Sequence, residues 1–325
     1  MVTLKEKLYQ MFLLGTDGNG YLEALHNGLG GIIFFTHDIK TSQQFKDLIS
    51  DIKTGSLISP FLSIDQEGGR VERTENIHNG KKYLSARYAF EKGENFLAKQ
   101  TKEIAQELKT FGINLNFAPC IDTNTNPDNP IIGERAFSSN PDDVIKGEKI
   151  VSKIYKENGI IPCVKHFPGH GDTNTDSHLT LPEIALPLER MEETHIKPFK
   201  FAVKNGAEMI MAAHIHCICF EKEPIPASLS KNAINYLRNI LNYKGVIITD
   251  DMIMKGVSSF NDTEAALMAI HAGVNMLIYR NSNKNTINII ENLYKKAIID
   301  KELQEKINIS YKKITDLKTK YSIIK

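Results

Sequence analysis

At 325 residues, 41% of them hydrophobic, the chain has apolar material for one large core or two ordinary ones. Its 40 Lys+Arg against 39 Asp+Glu leave a formal net charge of +1, which excludes a whole-chain electrostatic footprint for nucleic acid or an anionic membrane and favours a small, neutral ligand. The short apolar run after Lys5, Glu6 and Lys7 does not suffice for a secretory signal, and no apolar stretch elsewhere approaches the roughly 18–20 residues that span a bilayer, so a soluble, cytoplasmic protein is expected.

Taken in chain order, short apolar runs that end in polar residues alternate with longer amphipathic stretches. The runs are residues 11–15, 31–35, 61–65, 113–119, 161–167, 209–214, 246–250 and 274–279. Between them, segments 94–110, 142–158, 188–205, 231–242 and 263–271 carry apolar residues at helical spacing. Pro141 and Asp142 mark a helix start, with Asp143 favouring the positive end of its dipole. Gly30, Gly112, Gly159, Gly206, Gly245 and Gly273 stand just before strands, where a left-handed residue ends the preceding helix. Eight runs are the number that closes a parallel barrel, so the prediction is α/β, a single (β/α)8 barrel of the TIM type. No linker or charge block divides the chain, which predicts one domain over residues 1–325. The Lys-rich tail from about residue 283 reads as one or two surface helices that pack on or extend the barrel.

Cys120, Cys163, Cys217 and Cys219 form no C-x-x-C pair, and three of them sit within or at the ends of apolar runs, so reduced, mostly buried thiols are expected. The cluster His214, His216, Cys217 and Cys219 has ligand-type residues but none of the usual structural zinc spacings, and no metal is expected there. The glycine-rich segment from Gly15 to Gly20 lacks the lysine and hydroxyl of a phosphate loop.

In a closed parallel barrel, catalytic groups stand at the carboxyl ends of the strands. Those ends are Asp17, His37, Asp65, Asp122, Lys165 with His166, His214 with His216, Asp250 with Asp251, and Arg280. Such a ring is costly as structure alone unless its members pair or meet a polar ligand. On the residues alone, Asp250 and Asp251 are equal candidates for a nucleophile or for a helix cap. Lys165 is equally a hydroxyl donor or the amine of an aldolase-like Schiff base, and Asp65 can pair across the mouth with Arg73.

The loop after the fifth run reads Lys165-His166-Phe167-Pro168-Gly169-His170-Gly171-Asp172-Thr173-Asn174-Thr175-Asp176-Ser177-His178. It resembles the signature of bacterial β-N-acetylglucosaminidases of glycoside hydrolase family 3, the NagZ type. Four further segments agree in the family's order: Ile64 to Arg73, Gly133 to Ser138, Met211 to His214, and Thr249 to Met254. The resemblance covers about residues 10–280, with small departures at Met252, often Leu in the family, and Ala212, often Thr. It implies retaining hydrolysis with Asp250 as nucleophile, His178 as acid/base and Asp176 orienting it. It implies that Asp65, Arg73, Arg135, Lys165 and His166 surround the terminal sugar, with His170 and His214 behind them. Glycines 169 and 171 predict a loop able to carry His178 in and out of the site. The implied substrate is a small carbohydrate, terminal β-linked N-acetylglucosamine on a peptidoglycan-derived muropeptide. No cofactor, metal, nucleic acid or membrane is implied. The alternatives are another family 3 β-glycosidase, a β-glucosidase or β-xylosidase taking its acid from a glutamate on a second domain, and the aldolase-like use of Lys165.

Overall fold

The computed structural model describes residues 2–78, 81–173 and 181–325. Ten strands run in chain order: β1 Phe12–Asp17, β2 Gly31–Phe34, β3 Phe61–Ile64, β4 Leu115–Asn116, β5 Ile161–Phe167, β6 Glu183–Ile184, β7 Met209–Ala212, β8 His216–Cys217, β9 Val246–Asp251 and β10 Met276–Asn281. Eight of them close a barrel in the order β1-β10-β9-β7-β5-β4-β3-β2, all neighbours parallel, while β6 and β8 pair separately. The fold is a (β/α)8 barrel, closed by the register Phe12↔Leu277 through Asp17↔Asn281. Strands β2, β3, β5 and β7 are buried at every position. Side chains fill the barrel on one face and helices cover the other, which is why these segments read as continuous apolar runs with no alternation.

Helices form where the capping chemistry allows. In Pro141–Glu157 the Asn140 side chain accepts from the Asp142 N–H, Pro141 occupies a position that needs no donor, and Asp142 and Asp143 stand in the first turn. Glu94–Phe111 ends on Gly112 at φ 82°.

Several expectations need correction. Gly30 and Gly245 are absent from the positive-φ residues, unlike Gly112, Gly159, Gly206 and Gly273. Close packing demands them instead: a Cβ on Gly30 would lie 2.0 Å from the Gln10 carbonyl oxygen, and one on Gly245 2.4 Å from the Tyr243 hydroxyl. The segment 188–205 is two helices, Leu188–Thr194 and Ile196–Lys204, joined at His195. Pro198 has no N–H for the Thr194 carbonyl, which accepts from Thr123 Oγ1 at 3.1 Å instead. The fourth strand shrinks to two residues, because Pro119 cannot donate to the ladder; an isolated bridge from Cys120 to Lys165 continues it.

The tail forms Lys284–Ala297 and Lys301–Lys320. Both helices bury a stripe, Ile289, Ile290 and Leu293 in one and Leu303, Ile307, Ile314 and Leu317 in the other, so they are part of the barrel's outer ring. Among the described residues no helix is long and apolar enough to cross a membrane.

Candidate active site

The carboxyl ends of the barrel strands surround a cavity of about 190 Å³. Its charged lining is Asp65, Arg73, Arg135, Lys165, Asp250, Asp251 and Arg280, with His166 and His170; Phe35, Met211 and Met254 are among its apolar walls. The cavity is below the roughly 300–1,000 Å³ of drug-sized sites, so it suits one small polar ring.

Asp65, Lys165 and Arg135 line the cavity, and Glu67 lies behind them and joins the two cations. Lys165, 1% exposed, points its Nζ at Asp65 Oδ1 (2.5 Å) and Glu67 Oε1 (2.6 Å). Arg135 grips the same Glu67 with both fork nitrogens, Nε to Oε2 at 2.9 Å and Nη2 to Oε1 at 2.8 Å. Burial alone would raise the Glu67 pKa, but Arg135 and Lys165 outweigh it and hold the carboxyl well below its usual range. The Lys165 amine is in turn raised, its two carboxylates overcoming its burial. A Schiff-base lysine needs the opposite, a depressed pKa, so the geometry argues against aldolase-like chemistry. Asp65 pairs with Lys165 here, whereas the Arg73 guanidinium lies 5.6 Å over the Phe35 ring and its backbone N–H donates to Gln66 Oε1 at 2.7 Å. Arg73 Nε is buried with no hydrogen-bond partner among the described residues.

Asp250 stands near the end of β9, whose register with β7 runs Met209↔Val246 to Ala212↔Thr249. Its Oδ1 accepts the Asp251 N–H at 2.8 Å. Burial pushes its pKa up, but His166 first, then His214, the Asp251 N–H and Lys165 bring it below the ordinary value. The group is therefore an ionised carboxylate on a rigid strand. Asp251 differs: burial dominates and raises it to about 6. Its Oδ1 accepts from the Ile253 and Arg280 backbone N–H groups, both near 3 Å (3.2 and 3.1 Å), as a loop-tying residue does.

His214 bridges from behind, Nδ1 to Ser228 Oγ at 2.7 Å and Nε2 donating to the Asp251 carbonyl at 3.1 Å. His170 sits edge-on to the His166 ring at 6.0 Å, and burial first, then His166, lowers its pKa to about 4. Of the remaining strand-end residues, Asp17, His37 and His216 stand apart from the cavity lining, with His37 paired to Asp17 and Asp38, and His216 to Glu183. Asp176 and His178 lie outside the described residues.

One residue beside the site is not predicted from the sequence, and another is predicted in the wrong place. Glu67 is visible there only as part of a motif, two positions after Asp65, and nothing in the spacing says that it joins Lys165 to Arg135. Asp122 is expected at the mouth, yet it is fully buried behind His166. Cys120, Asp122 and His166 are the one described trio within metal-ligating reach of one another. The Asp122 oxygens already accept from the His166 Nδ1, the backbone N–H groups of His166 and His170, and the Cys120 thiol. Burial also keeps that thiol well above its ordinary pKa, so the trio is arranged to hold protons rather than an ion.

A sequence profile of the "Glycosyl hydrolase family 3 N terminal domain" matches residues 3–317. The chain is 32% identical over 320 residues to beta-hexosaminidase A of Pseudoalteromonas piscicida, covering 90% of this chain and 53% of that protein. It is 32% identical over 274 residues to a beta-hexosaminidase of Methylococcus capsulatus, covering 82% of this chain and 80% of the other. Among solved structures, a family 3 beta-N-acetylglucosaminidase from Paenibacillus superposes with a TM-score of 0.91 at 30% identity, covering 99% of this chain and 63% of that one. The chain thus spans about half the length of the Pseudoalteromonas relative and less than two thirds of the Paenibacillus protein.

Proposed function

The chain belongs to glycosyl hydrolase family 3, and from that premise we propose that it is a retaining exo-β-N-acetylglucosaminidase, removing terminal β-linked N-acetylglucosamine from muropeptides. The observation that carries this reading is Asp250: a half-buried carboxylate near the end of a barrel strand, its Oδ1 held by the Asp251 N–H, facing a cavity the size of one sugar. The names of the relatives support the N-acetylhexosamine specificity.

In the proposed reaction an Asp250 oxygen attacks the anomeric carbon while the bond to the leaving oxygen breaks and His178 delivers its proton to that oxygen. Water then attacks the glycosyl-aspartate, gives its proton back to His178 and frees Asp250. Asp176 orients His178. The Asp65 and Lys165 pair accepts from and donates to the sugar hydroxyls, and Arg73, Arg135 and His166 complete the pocket. No cofactor or metal takes part. Residues 1–325 act as one catalytic unit in this reading. The four free thiols, three of them buried, fit a reducing cytoplasmic setting and a place in recycling cell-wall fragments.

The test is nitrophenol release from the aryl β-N-acetylglucosaminide and the aryl β-glucoside by the wild type and Asp250→Ala. We expect turnover of the N-acetyl substrate, lowered on the order of 10³-fold or more in the variant. A preference for the glucoside overturns the substrate class, and activity that survives Asp250→Ala overturns the mechanism.

A further inference from the structure

Four groups donate to the Asp122 carboxylate behind the site. It is fully buried, two residues beyond Cys120, whose isolated bridge to Lys165 continues the fourth strand, and it lines no part of the cavity. Oδ2 receives His166 Nδ1 at 2.7 Å and the Cys120 thiol at 3.2 Å; Oδ1 receives the His170 N–H at 2.6 Å; the His166 N–H lies 3.2 Å from each oxygen. An ionised carboxylate only accepts, so the proton between it and His166 belongs to Nδ1. The ring's other nitrogen, Nε2, then faces the site, 3.3 Å from Arg135 Nη2. The same carboxylate also fixes where the chain departs after Phe167, through the His170 N–H.

We propose that Asp122 is a positioning residue for the reaction: it sets the tautomer and orientation of His166 and, with its other oxygen, pins the first turn of the loop that begins at Gly169. The proposal rests on the functional reading above, since His166 matters only if a sugar occupies the cavity. An asparagine in its place has one accepting oxygen where the carboxylate has two, and its amide must face a donor. It must therefore give up either the His166 Nδ1–H or the His170 N–H. For histidines that ligate a metal, the carboxylate behind the ring is worth on the order of 10–100-fold, and the same scale is expected for a histidine that faces a sugar.

The experiment is a double-mutant cycle on the aryl β-N-acetylglucosaminide with Asp122→Asn, His166→Gln and both, combined with ¹⁵N NMR of the histidines in the wild type. If Asp122 acts through His166, Asp122→Asn lowers kcat/KM about 10–100-fold, and adding it to His166→Gln lowers it less than threefold further. The His166 Nδ1 also carries the proton in the wild-type spectrum. That spectrum tests the tautomer even should Asp122→Asn fail to fold. Multiplying losses in the double variant, or a wild-type His166 protonated only on Nε2, overturns the proposal. A wild type that releases no nitrophenol sinks the functional reading instead, a separate result.

Discussion

Asp250 and Asp251 are adjacent on one strand, yet their surroundings drive their proton affinities apart. His166 and His214 face the first; burial dominates the second and lifts it to about 6. The raised value has a consequence for stability. Below about pH 4 an aspartate is protonated in the folded and unfolded chains alike. Between about 4 and 6 the folded chain keeps a proton that the unfolded one has released, so stability falls as pH rises through that interval, and above it the cost is complete. Asp251→Asn keeps an oxygen for the Ile253 and Arg280 N–H groups and removes the charge. At pH 7 the variant is expected to be more stable than the wild type by about 1–3 kcal/mol, the difference vanishing near pH 4. Denaturant unfolding at the two pH values checks this, and an equal difference at both would refute it. The two neighbours are indistinguishable in the sequence, because a strand end gives depth in the barrel and says nothing of which histidines approach. The same limit hides Glu67 and Asp122: their partners Arg135, Lys165, His166 and His170 come from other strands and loops, and only closure of the barrel brings them together.

At the scale of elements, most of the architecture is legible, since each barrel strand lies in a run of apolar residues and several helices end on glycine or asparagine. The errors arise where packing overrides the local signal. Pro198 splits a segment whose apolar spacing reads as one helix, and Gly30 is chosen for the Gln10 carbonyl pressed against it rather than for its dihedral angles. Gly147 is the same case inside the helix Pro141–Glu157. Its propensity there is poor, and Ala should gain about 1 kcal/mol on that ground alone. A Cβ at this position, however, would lie 2.5 Å from the root of the Phe137 ring, which is itself packed edge-on against Phe90 and stands two residues after Arg135. Because the clash is with the ring's base, which cannot swing away, overpacking at about 1–3 kcal/mol outweighs the propensity gain. Gly147→Ala is therefore expected to lower Tm, and shrinking the ring with Phe137→Leu in the same chain should recover part of the loss. A raised Tm in the single variant would show that the helix can move away from the ring.

For the molecule as a whole, the barrel's amino-terminal end is closed by an unusual group. Lys318, on the last helix, Lys301–Lys320, is fully buried and donates to Gln10 Oε1 at 2.8 Å and the Ser59 carbonyl at 2.9 Å, with its Nζ 4.9 Å over the Phe61 ring. Gln10 in turn donates to the Gly28 carbonyl at 2.6 Å, so one amine ties the last helix to the segments that lead into β1, β2 and β3. No carboxylate pairs with it among the described residues, and burial pushes the amine well below its ordinary pKa. The folded chain then releases a proton that the unfolded chain holds up to about pH 10.4, so stability should rise with pH over that interval, by at most about 1.4 kcal/mol per pH unit. Lys318→Met fills similar space but leaves the Gln10 and Ser59 oxygens without a donor, a cost of about 1–3 kcal/mol for each that does not depend on pH. Comparing wild type and variant from pH 6 to pH 9 separates these effects: the wild type should gain on the variant with each step upward. Parallel curves would mean that the amine stays charged in the folded protein, held by its two carbonyl acceptors and the ring face, and that the end of the barrel is closed by an ammonium.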